Sequence, residues 1–140
     1  MRVVSKNMFL TQTKITLKNA GDLMAARRGY IEEPEVREIT VNALVDTGAW
    51  TMVINEATRK RLGLDFIDID TDTHPKNKYN LAGPLEVRWK DRRTTCEAIV
   101  LPDSEDILIG SVPLEAMDLT VNPYKEIVGV HRDQIMRLIS

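Results

Sequence analysis

The sequence predicts a mainly β, largely antiparallel domain with one or two short helices. Three observations carry this. Short segments alternate apolar and polar residues with period two. Clusters of Gly, Pro, Asn and Asp separate them. One stretch is punctuated as a helix at both ends. With 140 residues, the chain is expected to form a single domain, 1–140, large enough for a continuous core.

In chain order, "TKITLKN" at 13–19 places Ile15 and Leu17 on one face, and Asn19-Ala20-Gly21-Asp22 breaks it. Residues 22–36 read as polar and irregular, with room for a short helical turn; the acidic "EEPE" at 32–35 reads as a solvated loop. A long strand runs over 37–45, and after a turn at Asp46 "TMVI" forms another. The helix is "NEATRKRLGL" at 55–64. Asn55 can cap the free N–H groups of its first turn, and Glu56 sits at the positive end. Arg59, Lys60 and Arg61 sit at the negative end, and Gly63 supplies the left-handed residue that ends it.

Residues 70–83, "DTDTHPKNKYNLAG", read as a long exposed loop or hairpin tip. "PLEVRW", a "KDRR" turn at 90–93 and "TTCEAIVLP" form a hairpin. "DILIG" reads as a short buried strand, and "VPLEAMDL" as a short helix with Pro113 in its first turn and Leu114 facing Met117. "LTVNPYKEIVGV" reads as a hairpin around Asn122-Pro123. The tail at 131–140 is too apolar to stand fully in water. Twice the chain runs strand, sharp turn, apolar segment, short helix, over 46–64 and over 100–119, which is a weak internal two-fold without exact repeat.

A net charge of −2 points to neither nucleic acid nor an anionic membrane as partner. Arg27-Arg28 and "KDRR" read as solvated loop charges. The single cysteine, Cys96, allows no internal disulfide and fits a reducing compartment. With no leader-like or membrane-spanning apolar run, a cytoplasmic location is expected. Cys96 is placed on the polar side of an alternating strand. His74 and His131 have no ligand-like spacing to each other or to Cys96, so neither a metal nor a cofactor is expected. A Cys-His hydrolase using His131 has no local support. Trp50 and Trp89 read as packing residues, with Trp50 close enough to Asp46 to serve both purposes.

The chemistry concentrates at "ALVDTGA", residues 43–49. A carboxylate at the end of a buried strand is costly unless hydrogen-bonded. Thr47, Gly48 and Ala49 offer a hydroxyl and backbone N–H groups that can hold it. Two such carboxylates side by side cannot both ionise and share one proton. One then acts as general base on a water while the other polarises a carbonyl, which hydrolyses an amide without metal or covalent intermediate. The tripeptide "DTG" occurs once. It is therefore either no active site or half of one, completed by the same residue of a second copy across a two-fold axis.

The chain resembles the retropepsin-like aspartic proteases, in particular their bacterial single-domain branch. The resemblance rests on "ALVDTGA", on "ILIG" at 107–110 and on the following "SVPLEAMDL", and it is strongest over 36–130. It implies a closed antiparallel β-barrel that works as a two-fold homodimer, an aspartic endopeptidase acting on peptides or proteins. Asp46 would be the catalytic carboxylate. Thr47 would reach across the dimer to lock the two active-site loops, with Gly48 supporting the loop. Ala49 and Trp50 would lie against the substrate, and Leu108 near a side-chain pocket. Residues 71–83, with Lys78 and Tyr79, would form the flap that closes over the peptide. The chain departs from retroviral members in three places: no glycine in the flap before Gly83, Ser111 where they carry an arginine, and Trp50 in place of a small acidic residue.

Two other assignments stand beside this one. Asp-Thr-Gly also suits a purely structural turn. A dimeric scaffold of the same fold could bind peptides by strand addition and hydrolyse nothing.

Overall fold

The computed structural model describes residues 11–68, 80–101, 106–124 and 126–129. Along these the chain forms β1 (Thr11–Asn19), α1 (Ala20–Arg27), a 3₁₀ turn (Glu33–Glu35), β2 (Glu38–Val45), β3 (Met52–Ile54) and α2 (Glu56–Leu62). Then follow β4 (Asp65–Asp68), β5 (Asn80–Trp89), β6 (Arg92–Val100), β7 (Leu108–Ile109), α3 (Ser111–Ala116), β8 (Leu119–Val121) and β9 (Ile127–Gly129). The domain is mainly β, as its alternation predicts.

Seven strands join in the order β1-β2-β7-β3-β6-β5-β4, and β1 also pairs with β5. The ladders therefore run in a ring from β1 through β2, β7, β3, β6 and β5 back to β1. Most are antiparallel, as short connections demand. Two are parallel, β2 with β7 and β3 with β6, so the sheet is mixed rather than wholly antiparallel. Each parallel pair is linked by a long crossover that passes through other elements, the only kind of connection such a pair permits.

Alternation sorts side chains to the two faces. Ile15, Leu17, Ala43, Val45, Met52, Ile54, Val87 and Ile109 point into one buried cluster, with Leu62, Leu64 and Leu114 of the helical segments packed on it. Each large aliphatic side chain removed from water there stabilises the fold by about 1.5–3 kcal/mol. The intervening residues Val53, Ile99 and Leu108 form a second, smaller cluster with Leu44, Ala49, Leu81 and Leu101 packed against it.

Several local expectations changed. Asn19 does not simply break β1: its side-chain oxygen accepts the Asp22 N–H at 2.9 Å and so starts α1. Its amide nitrogen donates to the carbonyls of Leu62 at 2.8 Å and Gly63 at 3.3 Å, joining the start of α1 to the end of α2. "EEPE" is an ordered 3₁₀ turn closed by a capping box, in which Glu32 N–H donates to Glu35 Oε1 at 2.8 Å. "DFID" pairs with β5 as an additional strand, β4. Arg92 is not a solvated charge, because its Nη1 donates to the carbonyls of Met117 and Asp118, each at 2.9 Å, at the end of α3. Cys96 packs against the main cluster instead of facing water. Burial pushes its thiol up to about 11.

The helix at 55–64 forms as expected, with Asn55 Oδ1 accepting the Thr58 N–H at 2.8 Å and Gly63 in the left-handed region at φ 64°. The hairpin around Asn122-Pro123 is the β8–β9 pair. The tail at 131–140, His74, His131 and most of the expected flap, with Lys78 and Tyr79, lie outside the described residues. Among the described residues, no helix is long and apolar enough to cross a membrane.

Candidate active site

β2 delivers Asp46 to the surface. Its residues alternate inward and outward up to Val45, and the chain then turns sharply: Ala49 N–H donates to the Asp46 carbonyl at 3.0 Å. Within this turn the Gly48 N–H donates to Asp46 Oδ1 at 2.9 Å, which fixes the carboxylate relative to the backbone. The structural turn and the oriented carboxylate are thus one feature. Asp46 is half-buried, whereas Thr47 and Gly48 are exposed. The Thr47 hydroxyl has no partner among the described residues.

The turn is gripped from below by the segment that contains "ILIG". Leu44 N–H donates to the Ile107 carbonyl at 2.8 Å, and Asp46 N–H to the Ile109 carbonyl at 3.0 Å. The grip then reverses direction. Ser111 N–H donates to the Ala49 carbonyl at 2.8 Å and Val112 N–H to the Trp50 carbonyl at 3.0 Å. The β7 segment and the first turn of α3 therefore hold the loop on both sides, through backbone groups alone. Gly110 stands at the crossing, where a side-chain carbon would lie 2.5 Å from the carbonyl oxygens of Ala49 and Thr51. Only a residue without Cβ permits that approach.

Thr51 secures the far side of the loop. It is buried, and its Oγ1 donates to the Glu97 carbonyl of β6 at 2.7 Å. The sequence alone did not mark Thr51; its position where the loop re-enters a buried strand was the available signal.

The structure thus brings Asp46, Gly48 and Ala49 together with the second apolar cluster. Leu108 is 1% exposed within that cluster and is covered by its neighbours, so it does not itself present a surface to a ligand. The more accessible apolar atoms beside the turn belong to Leu44, Ala49 and Leu81. Trp50 is 52% exposed, which removes it from the core packing it was also expected to serve. Trp89 is a packing residue, buried, with its indole N–H donating to Thr13 Oγ1 at 2.8 Å. Among the described residues, no group of three His, Cys, Asp or Glu is placed to hold a metal ion.

A strand-borne "DTG" whose loop is hydrogen-bonded across a Gly110-bearing segment coincides with a family match. The model of the family described as aspartyl protease matches residues 33–112. The chain belongs to the aspartyl protease family. The match holds both the Asp46 loop and the 107–110 strand that grips it, and it ends at Val112, whose amide makes the last bond of the grip. Among solved structures, the chain is similar to a retropepsin-like aspartic protease from Rickettsia conorii. The two are 18% identical over 81% of this chain and 87% of that one, with a TM-score of 0.47. No curated protein matches.

Proposed function

We propose that this aspartyl protease family member is an aspartic endopeptidase whose active site forms between two copies. Each copy supplies Asp46 to the two-fold axis. The paired carboxylates share a proton, and one activates a water while the other, protonated, polarises the scissile carbonyl. Thr47, exposed beside the axis, locks the two loops together, and the peptide lies over Ala49 and Trp50. The apolar surface of Leu44, Ala49 and Leu81 receives a substrate side chain.

The observation that carries this proposal is the hold on Asp46: Oδ1 fixed by Gly48 N–H, in a loop clamped on both sides by the 107–112 segment. A carboxylate that served only a turn would not need a clamp from a distant part of the chain. Orientation set in advance is what general acid–base chemistry requires.

Turnover of a diverse peptide pool from mildly acidic to neutral pH, native chain against Asp46→Asn, tests the proposal. The native protein is expected to cleave and the variant to lose about 10²–10⁴-fold or more of the rate. Absence of cleavage by a confirmed folded dimer overturns it in favour of a peptide-binding scaffold. A monomer at working concentration overturns the paired-carboxylate mechanism.

A further inference from the structure

Two concavities open on the outer face of the sheet and share Lys18, Glu38 and Arg88. One, of about 570 Å³, lies between α1 and the sheet, and the other, of about 700 Å³, continues along β1 towards Gln12. Together they make an open trough instead of a closed pocket. The protein is net acidic at −2. Yet the trough is lined by Lys14, Lys18, Arg27, Arg88, Lys90 and Arg93 against the carboxylates of Glu33 and Glu38.

The fold places these cations together at a cost. Arg88 and Arg93 stand directly opposite each other in the β5–β6 ladder, where like charges repel. Arg88 is balanced by the buried carboxylate of Glu86, and Lys18 by Glu38 at 3.4 Å. Arg27 and Arg93 are exposed and have no carboxylate partner among the described residues. They reach the trough from two separate elements, α1 and β6. The α1 wall lies before residue 33, outside the segment that the family model matches.

We propose that this trough binds an extended acidic peptide segment. Its length suits a chain rather than a compact anion. Leu23, Ala26 and Val36 provide apolar contact between the charges, which a peptide can use. Glu33 and Glu38 remain on the wall and would repel a nucleic acid, with its unbroken row of phosphates, more than a peptide with spaced carboxylates. Among the residues lining the trough, the aromatic ring is that of Trp89, which is buried and covered by Lys90, 4.7 Å from its ring centroid, and so offers a base no stacking platform. The Lys18–Glu38 rung, where the two concavities meet, stands at the opposite end of β2 from Asp46, roughly 26 Å away at about 3.3 Å per residue, while Gln12 at the other end pairs with Leu44 near the Asp46 turn. Binding here does not depend on the peptidase proposal.

The test is fluorescence anisotropy of a labelled peptide of alternating Glu and Ala, titrated with the full-length Asp46→Asn chain so that nothing is cleaved. Saturable binding is expected, weakening at least about tenfold between roughly 0.05 M and 0.5 M salt as charges are screened. The double variant Arg27→Glu/Arg93→Glu should bind about tenfold more weakly or worse. If charge reversal lowers the melting temperature, Arg27→Gln/Arg93→Gln decides instead, with a smaller loss expected. Equal binding of the matching Gln-Ala peptide overturns the proposal, as does unchanged affinity in the variants. Tighter binding of a single-stranded oligonucleotide of the same length would reassign the trough to nucleic acid. Because the assay reads no cleavage, its failure leaves the peptidase proposal intact, and inactivity towards peptides leaves this one intact.

Discussion

Gly110 and the carbonyl of Ala49 approach so closely that a side-chain carbon on Gly110 would sit 2.5 Å from that oxygen. The same carbonyl accepts the Ser111 N–H at 2.8 Å. The loop that carries Asp46 is thus held by a contact that depends on the absence of one methyl group.

Gly110→Ala should accordingly destabilise the fold by about 1–3 kcal/mol, because backbone on both sides of the loop must shift to make room. Under the proposed function, turnover should fall further than stability does, since the shift passes directly to Asp46. Thermal unfolding and turnover measured on the same preparation check this. A variant with native melting temperature and native rate would show that the loop does not depend on this approach.

Asn19 joins two helix ends through one side chain. Replacing it with Ala removes the cap of α1 and leaves the buried Leu62 carbonyl unpaired. The sum is expected to be about 2–4 kcal/mol. Asn19→Asp keeps the capping oxygen but loses the two donated bonds, so it should also destabilise. Chemical denaturation of the three proteins separates the contributions, and a native midpoint for the Asp variant would mean that the link to α2 carries no stability.

Asp22 gives a pH dependence whose sign is fixed. Arg37 donates to its carboxylate from Nε at 2.9 Å and from Nη2 at 3.0 Å, and its backbone N–H adds a third bond at 3.0 Å. These side-chain bonds hold the Asp22 carboxyl below its ordinary range, with burial opposing them. A carboxylate lowered in the folded state contributes stability above its unfolded value, roughly 4, and loses it as pH falls through the folded value. Asp22→Asn should therefore melt below the native chain at neutral pH. The deficit should be no more than about 1 kcal/mol, because Arg37 is half exposed. Melting curves taken down into acid should converge; a gap that widens in acid would contradict this.

Cys96, pushed up to about 11 by burial, holds almost no thiolate at neutral pH. Alkylation by iodoacetamide should run roughly a hundredfold slower or more in the native protein than in denaturant, where the thiol returns to about 8.5. Mass-spectrometric time courses in both conditions measure the ratio. Comparable rates would place Cys96 at the surface.

The elements that local chemistry specifies were legible in the sequence. α2 carries its cap, its charge order and its terminating glycine within ten or so residues, and it forms as written. β1, β2 and the β5–β6 hairpin follow from alternation. Asp46, Gly48 and Gly110 were legible as well, because a strand-end carboxylate and a glycine-ended apolar triplet are unusual local patterns. Asn19 and Arg92 were not. Each makes its decisive bonds to carbonyls more than twenty residues away, and a polar side chain beside a turn looks the same whether its partner is water or a distant helix end.

The sequence by itself determined a mainly β domain, one strand-borne Asp-Thr-Gly turn and its second strand at 107–110, because period-two alternation and turn residues act over a few neighbours. Tertiary structure alone decided that β2 and β7 run parallel and that the Asp46 loop is clamped from both sides. It also decided that Leu108 is buried behind the apolar surface and that six cations share one trough. These depend on which strands become neighbours around the ring, and that is fixed by burying all the inward faces at once.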